Sequence, residues 1–115
     1  MKRDMDLVRM ILFEIEESDE VDQESPIADY REHVRLLNDI GYIVNQHSIL
    51  LDDYYNMGKH ARLTNEGHDF LDSIRHKDIF DETKQHIEEN GLVNTSIAVF
   101  KKVALSLIEK KLGIK

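Results

Sequence analysis

The stretch HARLTNEGHDFLD, residues 60–72, changes period in its middle. Up to Leu63 it alternates as a strand does, and from Thr64 onward its apolar residues recur at helical spacing. Thr64 stands at the change. Its hydroxyl can accept the backbone N–H of Gly67 as a helix cap, worth about 1 kcal/mol. Glu66 adds a negative charge near the positive end of the helix dipole. Glycine weakens a helix, so Gly67 predicts a neighbouring backbone too close to admit a side chain. Phe70, Leu71 and Ile74 form the stripe this helix buries.

Toward the amino terminus, Asp52 to Gly58 is a turn cluster between Tyr42–Leu51, rich in β-forming residues, and Lys59–Leu63. This pattern predicts a β-hairpin. Before it, IADYREHVRLLNDI (27–40) places Ile27, Tyr30, Val34 and Leu37 on one helical face, with Ser25 and Pro26 as cap and first turn and Gly41 as terminator. The first helix is predicted from Asp4 to Glu17, with Met5, Val8, Ile11, Leu12 and Ile15 on its main face. Met10 and Phe13 point nearly the opposite way, so the helix is either sandwiched between two layers, the favoured expectation, or exposes an apolar spot.

Toward the carboxyl terminus, Asp78–Asn90 reads as a helix burying Ile79, Phe80, Thr83 and Ile87 and closed by Gly91. Thr95 or Ser96 can cap the last helix. Its apolar face is wide, with Ile97, Phe100, Val103, Ala104, Leu107 and Ile108, and it ends at Gly113. Were half of that face exposed, a symmetric dimer would follow. The expected fold is α+β and mostly α: helix, helix, β-hairpin and helix over residues 1–76, with a two-helix extension over 77–115 packing on it, all in one domain.

Composition narrows the chemistry. The 115-residue chain contains no cysteine, so disulfides, thiolate nucleophiles and Cys-type zinc sites are excluded together. No run of about eighteen apolar residues is present to span a bilayer, and the acidic residues near the start argue against a signal peptide. The expectation is a cytoplasmic protein. Most of the net charge of −8 comes from residues 1–26, which carry three basic and nine acidic side chains. The segment EIEESDEVDQE, 14–24, reads as a solvated helix end and loop, or else as a patch that repels nucleic acid and attracts a basic partner.

The element order, with LLNDIGYI at the second helix-to-strand junction and RLTNEGHDFLD at the strand-to-helix junction, resembles the winged-helix fold. Within it, MKRDMDLVRMIL, EHVRLLNDIGYI and LTNEGHDFLDSIR resemble the bacterial and prophage family called domain of unknown function 2513. That resemblance implies the fold and a bacterial or phage setting, and carries no catalytic residues. The segment between the first helix and Tyr30 leaves the helix that normally precedes a recognition helix very short or absent.

For function, the resemblance makes the helix of residues 27–40 the counterpart of a recognition helix, which reads base edges with its solvent face. Its cations Arg31 and Arg35 are offset by Asp29, Glu32 and Asp39, whereas binding to phosphates needs several uncompensated cations. Lys59 and Arg62 beside the hairpin turn complete the candidate DNA contacts. The favoured expectation is a protein partner or self-association, with Met10, Phe13, Leu36, Tyr54 and Tyr55 as candidate interface residues, since aromatics and Met are enriched at interface centres. Duplex DNA is the alternative. His60, His68 and His76 stand eight residues apart, but His68 and His76 would lie about 80° apart on one helix. His33, beside a buried stripe, is expected to be a hydrogen-bonded boundary residue. No phosphate-cradling glycine loop or nucleophile elbow occurs. No catalytic residue, metal ligand, cofactor, membrane contact or small-molecule substrate is therefore assigned.

Overall fold

In the computed structural model, which describes residues 2–22, 25–45, 60–91 and 95–113, the order is α1 (Met5–Ser18), α2 (Ala28–Asp39), β1 (Ile43–Asn45), β2 (Ala61–Leu63), α3 (Asn65–Ile74), α4 (Lys77–Glu89) and α5 (Ile97–Lys111). The protein is thus α+β and mostly helical, with two strands paired antiparallel. It divides into two units, 1–68 and 69–115, with the boundary inside α3.

In the first unit, α1 begins where Asp4 caps it by accepting the Leu7 N–H at 3.2 Å. Val8, Ile11, Leu12 and Ile15 are buried completely, as their spacing predicts. Met10, by contrast, is 49% exposed, and Phe13 is half-buried with the Arg9 guanidinium 4.7 Å from its ring centroid. The expectation of a helix covered on both faces therefore fails at Met10.

The helix ends at Asp19, whose φ of 55° is left-handed, a conformation Asp tolerates better than most residues. The turn sends the chain alongside β2. Asp19 O accepts the Ala61 N–H at 3.0 Å, and Glu20 forms an antiparallel bridge with His60. On its other edge β2 pairs with β1 in the register Ile43↔Leu63, Val44↔Arg62 and Asn45↔Ala61. The acidic segment, read from sequence as loop, thus contributes a strand-like edge. Ile43, Ala61 and Leu63 face inward and Arg62 outward, as period two requires.

Helix α2 starts one residue later than its apolar pattern predicts. Ile27 is the N-cap and 61% exposed, rather than the first residue of the buried stripe. Pro26 precedes it, and Ser25 Oγ accepts the Ile27 N–H at 3.2 Å, so the capping hydroxyl serves the approach to the helix and not its first turn. Tyr30, His33, Val34 and Leu37 are buried. Among the described residues between α1 and α2 no helix intervenes.

The predicted hinge between β2 and α3 is present. Thr64 Oγ1 accepts the Gly67 N–H at 3.1 Å and donates to Gly41 O, while a β-carbon on Gly67 would collide with the Tyr42 carbonyl. The turn and the end of α2 are thereby locked together.

In the second unit, Phe70, Leu71 and Ile74 are fully buried. Helix α4 packs against α5 through Phe80 and Phe100, whose ring centroids lie 5.5 Å apart at a tilt of 49°, within the range favoured by aromatic pairs. Ser96 rather than Thr95 caps α5, accepting the Val99 N–H at 3.1 Å. Of the predicted wide face, Ile97, Phe100 and Ala104 are buried, whereas Val103, Leu107 and Ile108 are only half-buried.

Candidate interaction site

Helix α2 is held by two polar latches that its apolar spacing does not announce. The first is His33, fully buried. Its Nε2 accepts the Asp4 N–H at 2.8 Å, which assigns the proton to Nδ1, and Nδ1 donates to Asp29 O at 2.6 Å. Both ring nitrogens are satisfied, so the imidazole joins the start of α1 to α2 inside the core. The expected boundary histidine is a core residue, and its ring is already committed to backbone.

The second latch is Tyr30. Its hydroxyl donates to Glu14 Oε1 at 2.9 Å and accepts the Asp22 N–H at 3.2 Å. Burial pushes this hydroxyl up to about 12 from its ordinary 10.0; the Asp22 N–H opposes the shift, and Glu14 reinforces it. One tyrosine therefore ties both sides of the acidic segment to α2. Tyr42 is also raised, by burial first and then by the charge of Glu66.

With those groups inward, the outward side of α2 carries Ala28, Asp29, Arg31, Arg35 and Asp39, all exposed, with Glu32 and Leu36 half-buried. Arg35 lies 3.9 Å from Glu32, an exposed pair of little energetic weight that still places an anion beside the cation. Arg62 is exposed on β2 and lines a shallow groove of about 330 Å³ with Asp19, His60 and Ala61. Neither Arg31 nor Arg35 lines that groove, and Asp19 supplies an acid within it. The described candidate cations thus stand on two elements, each with a carboxylate close by. Lys59, Tyr54 and Tyr55 fall outside the described residues.

Among the candidate apolar contacts, Met10 is exposed, and Phe13 and Leu36 are half-buried. The sequence reading missed two further apolar residues, Ile27 and Ile40, exposed at opposite ends of α2. Pro26 was the signal for Ile27, because the residue beside it sits at the helix entry. Ile40 continues the period of Leu37 but follows the last helical residue, Asp39.

Among the described residues no group of three or more His, Asp or Glu side chains could hold a metal ion, and no helix is long and apolar enough to cross a membrane. A family model, described as hypothetical protein (DUF2513), matches residues 2–93. No curated protein and no solved structure matches the chain.

Proposed function

Since the chain belongs to that DUF2513 family, we propose that its first unit is a winged-helix-like module that binds a protein partner, without catalysis, in a bacterial or phage regulatory setting. The observation that carries this reading is the outward side of α2. Its two arginines are matched by Asp29, Glu32 and Asp39, and exposed Ile27 and Ile40 flank it. Such a surface has too little net positive charge for strong phosphate binding, and its exposed apolar side chains suit the centre of a protein interface. The winged-helix part rests on the element order and on the base of the hairpin. There β2 is fastened on one side to β1 and on the other to the Asp19–Glu20 edge beside α1.

The alternative is a DNA-binding regulator using Arg31, Arg35, Lys59 and Arg62. Two measurements on the full chain separate the readings. The first is anisotropy with mixed-sequence duplex DNA from low to moderate salt, where the protein-binding reading expects no retention. Retention that falls steeply with salt and is lost in Arg35→Ala would replace it with the DNA reading. The second is affinity capture from the source cell followed by reconstitution with the purified candidate. Ile27→Asp and Met10→Asp should each weaken the reconstituted complex about tenfold or more at unchanged melting temperature. Unaltered binding in both variants would refute this site.

A further inference from the structure

On α5 a second apolar stripe runs beside the buried one. Ile97, Phe100 and Ala104 are buried in the unit's own core. Lys101, Leu105, Ile108 and Leu112 follow at spacings of four, three and four residues, the repeat of a coiled-coil seam. This stripe is partly open: Leu105 is 40% and Leu112 69% exposed, while Lys101 and Ile108 are half-buried. Lys101, Leu105 and Ile108 also line a groove of about 380 Å³ whose other wall is Asp69, Asp72 and Ser73 of α3. That groove leaves room for side chains arriving from outside.

The charges around the stripe identify the occupant. Beside the seam, away from the core, lie exposed Lys102 and Glu109, opposite in sign and seven residues apart. If a second α5 runs antiparallel, Lys102 of each copy meets Glu109 of the other, because seam-flanking positions pair across such an interface. The same arrangement sets Lys101 opposite Leu112 of the other copy, where the carbonyl end of its helix is negative. A parallel arrangement would stack Lys101 on its own copy and leave Lys102 beside apolar flanks. Lys111, on the core side, is already engaged with Glu82 at 3.0 Å.

We propose that the Leu105–Ile108–Leu112 stripe of α5 is a homodimer surface, on which two copies pair antiparallel about a twofold axis. A twofold pairing needs one self-complementary patch, which this stripe with its Lys102 and Glu109 flank provides. The seam is small, so the dimer is weak, with a dissociation constant on the order of tens of micromolar. The proposal is independent of the partner reading for the first unit, since it uses only residues of the second.

Sedimentation equilibrium of the full chain tests it. The wild type should move from monomer to dimer as its concentration rises through that range, and Leu105→Asp with Leu112→Asp should remain monomeric. Lys102→Glu and Glu109→Lys should each weaken dimerisation about fivefold or more, because each removes two pairs per dimer, and the double variant Lys102→Glu/Glu109→Lys should restore it. These two positions are solvent-exposed, so they decide the matter even if the Asp variants fold poorly. A wild type that stays monomeric at about 1 mM, a dimer insensitive to Lys102→Glu and Glu109→Lys, or a charge swap that fails to restore pairing would overturn it.

Discussion

The carbonyl oxygen of Tyr42 occupies the space that a β-carbon on Gly67 would need, and the same oxygen accepts the Thr64 N–H at 3.0 Å. The first turn of α3 is therefore seated directly on the backbone that enters β1. No flexible side-chain tip is available to yield, because the obstructing atoms are main chain.

Gly67→Ala should destabilise the protein by about 3 kcal/mol, despite the gain of about 1 kcal/mol that alanine brings to a helix, because overpacking against backbone outweighs propensity. Urea unfolding of the two proteins checks this. An unchanged or raised midpoint would show that the backbone can shift at little cost.

Thr64→Val keeps the shape of the side chain and removes a hydroxyl that both accepts from Gly67 N and donates to Gly41 O. A loss of about 1 to 2 kcal/mol is expected, with Thr64→Ser recovering most of it. Hydrogen exchange at the Gly67 amide should quicken in the valine variant and return in the serine variant.

His33→Leu fills a similar space with no ring nitrogens, so the Asp4 N–H loses its acceptor at the start of α1. The cost should be about 1 to 3 kcal/mol, and the Asp4 amide should exchange faster than in the wild type. If its exchange did not change, the latch between α1 and α2 would lie elsewhere.

Tyr30 makes stability fall at alkaline pH. Its hydroxyl is raised in the folded protein to about 12, above the ordinary 10.0 of the unfolded chain. The contribution is thus complete below pH 10 or so, and is lost as the pH rises through the folded value, because the unfolded chain sheds the proton first. Over that window the wild type should lose on the order of 2 kcal/mol more than Tyr30→Phe. Parallel stability curves for the two proteins would remove Tyr30 from the account.

Much of the fold was legible because its signals are local. Apolar spacing placed α1, α4 and α5 to within a residue or two, since a helix displays its buried face in its own period. The cap at Thr64 and the close approach at Gly67 follow from side-chain reach and from the absence of a side chain. The candidate site was less legible. Arg31, Arg35 and Arg62 could be named in advance, but not their placement on two elements, each with a carboxylate near.

What spacing could not tell was which surfaces would be covered and by what. The Asp19–Glu20 edge joins residues some forty positions from their partners at His60 and Ala61, and an acidic run carries no local mark of a strand. His33 is enclosed because the start of α1 passes over it. Met10, Ile27, Leu105 and Leu112 lie open to solvent although their side chains are as apolar as those inside. Periodicity ranks the faces of one helix against each other, whereas burial depends on whether another element arrives to cover a face, and only tertiary packing decides that.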